Sequence, residues 1–131
     1  SSIDAYLTAS ADPGLLVIEG KMSKGYSLDA GIEAIWNEID LMKNAPISEQ
    51  ELLKIRHRFE STVVFSEISV MNKAQSLCQY ELLGDAALIN DEIALYEAVT
   101  AEEIQRAAQQ FLTLDNCAEL RYLAPKTEEL V

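Results

Sequence analysis

Two helix-starting motifs of the same type constrain the fold of this chain more than any other feature. Ser48-x-x-Glu51 and Thr100-x-x-Glu103 are both capping boxes, in which the hydroxyl and the glutamate bond reciprocally to the backbone N–H groups of the first turn. An apolar residue before each motif, Ile47 or Val99, can staple onto an apolar residue inside the helix. The sequence therefore predicts one helix after Ser48 and another after Thr100.

Apolar residues at helical spacing predict further helices on either side of these motifs. Ser27 is a candidate N-cap for a helix that ends near Asn44, ahead of Pro46. A phase change at 66–72 predicts a break, after which a third helix runs to Gly84 at its C′ position. Residues 85–99 are predicted to form a loop and a short helical turn. The expected buried stripes are Leu28, Ile32, Ile35, Trp36, Ile39 and Met42; Leu52, Ile55, Phe59 and Val63, which Ile68 can extend; Val70, Ala74, Leu77, Cys78 and Leu82; and Ile104, Ala107, Ala108 and Phe111.

Three segments are predicted to be strands. Residues 3–8 alternate between faces, 15–22 begin with an apolar run that predicts burial on both faces, and 117–124 alternate as in a half-buried strand. Asp12-Pro13-Gly14 predicts a turn between the first two. The fold class is therefore α+β, with about three strands and four to five helices packed on one face. Because so thin a sheet leaves exposed edges, we expect further sheet partners outside the chain.

The charge of the chain argues against two classes of partner. Ten basic and 22 acidic residues give a net charge of −12, which repels phosphate backbones and anionic lipid. We therefore expect neither nucleic acid nor a membrane as a partner. No apolar run approaches the roughly 20 residues that span a bilayer, and no signal peptide is visible. The expected location is soluble, cytoplasmic or periplasmic, and the compartment stays open.

A single histidine limits the chemistry. Zinc peptidase motifs use two histidines on one helix, and this chain has only His57, between Arg56 and Arg58. We expect His57 on the surface, and no Gly-x-Ser-x-Gly elbow accompanies it. Cys78 and Cys117 are expected to be buried free thiols, although one disulfide stays open. No catalytic, cofactor-binding or metal-binding residue is predicted in this chain.

The order of these segments resembles the pitrilysin/insulinase family of zinc metallopeptidases, which includes the mitochondrial processing peptidases. The resemblance covers about residues 13–125. It rests on a combination of five parts in order. The first two are the strand Gly14 to Met22 and the helix from Leu28. The other three are the segments Pro46-Ile47-Ser48-Glu49-Gln50-Glu51-Leu52, Tyr80-Glu81-Leu82-Leu83-Gly84-Asp85 and Ala98-Val99-Thr100-Ala101-Glu102-Glu103-Ile104. The family's His-x-x-Glu-His motif is absent, so none of its zinc ligands carries over to a residue here.

The resemblance implies that residues 1–131 are a single, partial LuxS/MPP-like metallohydrolase domain, the C-terminal part of a non-catalytic domain. In such proteins a catalytic and a non-catalytic domain enclose an extended peptide, so zinc is expected in the catalytic half of a parent protein. The expected partners are the remaining domains or a catalytic partner subunit, the peptide substrate, and further copies of the chain through self-association. The later half of an active domain is a less favoured interpretation.

Two other functions fit the residues. One is a non-peptidase scaffold or partner subunit of the same fold. The other is an unrelated helical interaction module that binds through the apolar faces around Trp36 and Phe59. The interaction module predicts a monomer with a closed core, whereas a partial domain predicts exposed apolar surface.

Overall fold

The computed structural model of the chain describes residues 1–8 and 13–123. Within these residues the architecture is α+β, with one antiparallel pair of strands and five α-helices. The strands are β1 (Ser2–Leu7) and β2 (Leu16–Lys21). The helices are α1 (Leu28–Asn44), α2 (Glu49–Ser66), α3 (Val70–Leu82), α4 (Glu92–Ala98) and α5 (Ala101–Phe111). Short 3₁₀ turns cover Ala86–Asn90 and Leu114–Asn116.

The first two predicted strands form a β-hairpin. Their register pairs Ser2 with Lys21 and Leu7 with Leu16. Beyond the last pair, Thr8 closes the ladder: its N–H donates to the Leu15 carbonyl at 2.9 Å, and the Leu15 N–H donates to Thr8 Oγ1 at 2.8 Å. Gly14 is needed here because a Cβ on it would lie 2.7 Å from the Thr8 carbonyl oxygen. Asp12 of the predicted turn lies outside the described residues.

The burial expected for β2 is wrong. Leu15 and Leu16 are 69% and 46% exposed, although their apolar run predicts cover on both faces. The hairpin makes its main contacts within itself, and Met22 packs against Gly31 of α1 where the strand leads into the helix. The expected layer of helices on one face of the sheet is also wrong, because the helices pack chiefly on one another.

The third predicted strand is absent from the described part of its segment. Residues 117–123 pair with no strand among the described residues, and Ala124 lies outside them. The side chain of Leu120 is 95% exposed, although the alternation predicts its burial. Arg121 instead donates from Nη1 to Asp29 Oδ1 at the start of α1, at 2.6 Å. Alternation predicts which residues share a face, but a strand also needs a neighbour to pair with.

The helix boundaries confirm the capping predictions. Ser27 accepts from the Ala30 N–H at the start of α1, which ends at Asn44 as expected. Both capping boxes are complete at the starts of α2 and α5. The predicted break at 66–72 separates α2 from α3, where Ser69 is the N-cap. These helix starts can be predicted from the sequence because nearby side chains bond to the N–H groups of the first turn that have no partner within the helix.

The end of α3 is a Schellman motif built on Gly84, as predicted. The Asp85 N–H donates to the Tyr80 carbonyl at 3.2 Å, and the Gly84 N–H donates to the Glu81 carbonyl at 3.0 Å. Gly84 has φ = 121°, a conformation that L side chains rarely adopt. The chain then passes into the 3₁₀ turn and α4, in the segment predicted as a loop with a short helical turn.

Two sets of polar contacts join segments that are distant in sequence. At the C-terminus of α1, the Lys43 carbonyl accepts from Gln105 Nε2 at 3.0 Å and from Gln109 Nε2 at 2.7 Å. The Lys43 ammonium donates to the Leu112 carbonyl at 3.2 Å. We call these three hydrogen bonds, which tie α1 to α5, the Lys43 clasp. In the second set, Arg56 of α2 donates to the carbonyl of Val99, between α4 and α5, at 2.7 Å.

The buried core is small. Among the described residues, the buried apolar side chains are Ile39 of α1, Leu52 of α2, and Ala101 and Ala108 of α5. Aromatic stacking supplements them, since the rings of Phe59 and Tyr96 lie 3.4 Å apart between α2 and α4. In contrast, α3 has no buried residue, and its expected stripe is uncovered. The closed core that an independent helical module requires is therefore absent from the described part of the chain.

We predict that Gly84→Ala destabilises the protein by about 1 kcal/mol or more, because alanine is strained at positive φ. Gly20→Ala is the matched control, since Gly20 lies in β2 and a Cβ there meets nothing within 4 Å. Urea unfolding followed by far-UV circular dichroism measures both. Equal midpoints for the two variants would contradict the strain at Gly84.

The Lys43 clasp predicts non-additive mutations. Gln105→Ala or Gln109→Ala alone leaves the Lys43 carbonyl with one donor, so each change is expected to cost less than half of what the double variant costs. The double variant is expected to lose about 1–3 kcal/mol of unfolding free energy. Gln110→Ala, on the exposed part of α5, is the control. Strict additivity in urea unfolding would show that the two amides act independently.

Candidate functional site

The residues able to do chemistry are scattered over the surface. His57 is exposed on α2, as predicted. No group of three or more His, Cys, Asp or Glu residues among those described could hold a metal ion. The arrangement therefore supplies no zinc centre and no base–nucleophile pair within residues 1–8 and 13–123.

Both cysteines were expected in the core, and this expectation is wrong. Cys78 and Cys117 are free and exposed. Cys78 belongs to the apolar stripe of α3, which no other described element covers, because the main neighbour of α3 is the following 3₁₀ turn. Cys117 begins the unpaired segment 117–123. Periodicity places a residue on a face correctly, but it does not say whether that face is covered.

The glutamates of the first helical turns have structural roles. Glu51 and Glu103 accept from the backbone N–H groups of Ser48 and Thr100, at 3.3 Å and 2.9 Å. The hydrogen bonds from Thr100 hold the pKa of the Glu103 carboxyl below its ordinary value of 4.5. Capping accounts for both side chains, so neither is a candidate acid or base.

Exposed apolar surface is the dominant property of the molecule. Large apolar side chains are exposed in many of the described elements, and three places hold several of them close together in the sequence or in the hairpin. The first is the hairpin, through Ile3, Leu7, Leu15 and Leu16; the second is the junction patch of α2 and α3, through Val64, Phe65, Ile68, Val70 and Met71; the third is the segment 117–123. Apolar patches of this extent are typical of surfaces that bind other protein.

A cleft of about 170 Å³ lies where α3 meets α4. It is lined by Ser76, Gln79, Tyr80, Leu83 and Glu92. Burial raises the pKa of the Tyr80 phenol above 10.0, and the neighbouring Glu92 carboxylate raises it further, because both disfavour a phenolate. We call this the Tyr80 cleft. It holds one acid and one phenol, with no group positioned to activate either.

A larger cleft, of about 400 Å³, separates α1 from the chain that follows α5. Its lining residues are Glu33, Trp36, Asp40, Lys43, Thr113 and Leu114. We call this the Trp36 cleft. Trp36, which was expected in the buried stripe of α1, is half-buried. The sequence did not single out the cleft, because its second wall comes from Thr113 and Leu114, which are distant from α1 in the sequence.

Two solved structures share this fold. One is the "putative zinc protease from Bordetella pertussis Tohama I", with a TM-score of 0.80 and 20% sequence identity over 95% of this chain and 68% of that chain. The other is the "Inactive Peptidase Domain of a Putative Zinc Protease from Bordetella parapertussis", with a TM-score of 0.77 and 19% identity over 95% of this chain and 71% of that one. This is a zinc-protease-like fold.

The sequence itself matches no protein-family profile and no curated protein. The likeness is therefore one of fold, at identities where activity and substrate do not follow. In each of the two structures, roughly a third of the chain lies beyond the matched region. Among the described residues, no helix is long and apolar enough to cross a membrane.

The Tyr80 cleft gives a prediction with a defined sign. Glu92→Gln is expected to lower the pKa of Tyr80 toward 10.0, because one of the causes that raise it is the carboxylate. Since the native value is raised, native stability should fall as pH rises from the unfolded value of about 10 to the native value. Carbon-13 NMR of labelled tyrosine rings measures the titration, with Glu97→Gln on α4 as the control. An unchanged Tyr80 titration in Glu92→Gln would contradict the assignment.

Proposed function

We propose that this chain is a non-catalytic domain of a zinc metallopeptidase, which encloses peptide substrate together with a catalytic domain. The observation that carries the proposal is the fold likeness to an inactive peptidase domain over 95% of this chain. The resemblance of the sequence segments to the pitrilysin/insulinase family supports the same proposal. On this proposal the zinc motif lies outside residues 1–131, and the chain is the C-terminal part of its domain.

The exposed surface supports a role that depends on association. The hairpin has two free edges within the described chain, and the junction patch and the segment 117–123 add apolar side chains without cover. Such surface is costly in water, at about 25 cal/mol for each Å² of apolar area. The partners we propose are the remaining domains of the parent protein or a separate catalytic subunit, which would cover these places.

The chemistry of the residues favours a non-catalytic role for this chain. Zinc catalysis needs three protein ligands and an open coordination position, whereas the described residues offer no such cluster. Zinc would be supplied by the catalytic half. A scaffold or partner subunit without peptidase activity would have the same surface, so the experiment must separate the two roles.

The first test compares the chain with the longer protein. The purified chain is expected to hold substoichiometric zinc and to leave fluorescent casein uncleaved. The longer protein is expected to hold zinc and to cleave casein in a chelator-sensitive manner. Stoichiometric zinc or cleavage by the chain alone would overturn the non-catalytic role. Absence of zinc and of cleavage in the longer protein would instead leave a scaffold.

The same system tests association. Residues 1–131 and the remainder of the longer protein, expressed separately, are expected to recover cleavage when mixed. Phe65→Asp places a charge in the junction patch and should weaken this recovery at least about tenfold if the patch is buried on association. Gln110→Asp adds the same charge at an exposed position on α5 and should leave recovery unchanged. Equal recovery with both variants would exclude the junction patch from the interface.

A further inference from the structure

We propose that the Trp36 cleft binds one organic cation, the guanidinium of an arginine side chain in a peptide, against the indole ring of Trp36. The proposal goes beyond the enclosing role above, because it assigns a binding site to this chain whether or not a catalytic domain is attached. It rests on the side-chain set of the cleft, its size and its charge.

The spacing on α1 places a carboxylate on each side of the indole. Glu33 lies three residues before Trp36 and Asp40 lies four residues after it, so all three share one face of the helix. All three line the same cleft. An aromatic face flanked by carboxylates suits a cation, since the ring attracts it through its quadrupole and the carboxylates attract it through their charge.

The opposite wall suits the apolar and polar edges of a guanidinium. Thr113 offers a hydroxyl, and Leu114 offers an apolar side chain that is 73% exposed. The volume of about 400 Å³ falls within the range of small-molecule sites and admits a side chain, but no folded element. A planar guanidinium can stack on the ring while its N–H groups reach the carboxylates, which a compact ammonium does less well.

The charge of the lining leaves room for one cation. Glu33 and Asp40 are negative and Lys43 is positive, which gives −2 + 1 = −1 for the lining. The Lys43 ammonium is held by the Leu112 carbonyl at 3.2 Å, and it reaches Asp40 only at 3.9 Å. Lys43 is therefore engaged by Leu112, and Glu33 forms no salt bridge with another of the described residues. The net charge of −12 favours the approach of a cation from solution.

The test uses the intact chain and its single tryptophan, whose fluorescence reports on the cleft alone. N-acetyl-arginine amide is titrated in buffer of low ionic strength, with N-acetyl-citrulline amide as the neutral isostere. A saturable change with the arginine compound, in the millimolar range, and a weaker linear change with the citrulline compound are expected. Added salt should weaken the arginine response.

Three variants locate the site. Glu33→Gln and Asp40→Asn should each weaken arginine binding about threefold, in keeping with exposed ion pairs. Glu38→Gln removes the same charge from the far face of α1 and should leave the affinity unchanged. All three positions are exposed, so far-UV circular dichroism is expected to show an intact fold. The indole N–H signal in proton–nitrogen NMR gives a second, independent reading of each titration.

Identical, non-saturable responses to the arginine and citrulline compounds would overturn the proposal. Equal loss of affinity in Glu38→Gln would also overturn it, because the attraction would then be that of net charge and not of the cleft. Neither result depends on zinc or on the longer protein. The failure of this site is therefore distinguishable from the failure of the proposed non-catalytic role.

Discussion

The Lys43 clasp is the polar interaction that holds the end of α1 against α5. The Lys43 carbonyl at the end of α1 accepts hydrogen bonds from two side-chain amides of α5. The Lys43 ammonium donates to the carbonyl of Leu112, just after α5. The carbonyls of a last helical turn have no partner within their own helix. The clasp satisfies one of them and, in the same contact, joins two elements that are about sixty residues apart. With so few buried apolar side chains, directional contacts of this kind set how α1 and α5 lie together.

The remaining surface explains why association is central to the proposed function. Folding stability reflects a small difference between large terms, and the burial of apolar area is the chief favourable one. This chain leaves much of that area in water. Anything that binds the folded state and covers the area adds stability by mass action. The same surfaces that weaken the isolated chain would therefore strengthen a complex. The stability of the fold would then depend on the partner that covers them.

Prediction from the sequence was correct where structure is local. The caps at Ser27, Ser48 and Thr100, and the glycine end of α3 at Gly84, depend on residues within a few positions of one another, and each was confirmed. It failed where structure is non-local. The burial expected of Cys78, of Leu15 and of the segment 117–123 needs a neighbour from elsewhere, and no local pattern specifies that neighbour.

The functional features divide in the same way. One histidine was enough to rule out the two-histidine zinc motifs within the chain, because that chemistry has a strict ligand requirement. The spacing of Glu33, Trp36 and Asp40 places them on one helix face, but it did not predict the Trp36 cleft. A helix face becomes a cleft only when a second wall is present. That wall consists of Thr113 and Leu114, which follow α5 and lie next to α1 because the two helices pack together.

Arg56 makes the start of α5 depend on α2. Its guanidinium donates to the carbonyl of Val99, the residue just before the Thr100 N-cap, while its Nε is buried without a partner in the described chain. A capping box is a local motif, yet here the peptide leading into it is held by a residue 43 positions earlier. Loss of order in α2 would release that peptide and loosen the first turn of α5. The start of α5 is therefore set by a local capping motif and by a long-range contact from α2 together.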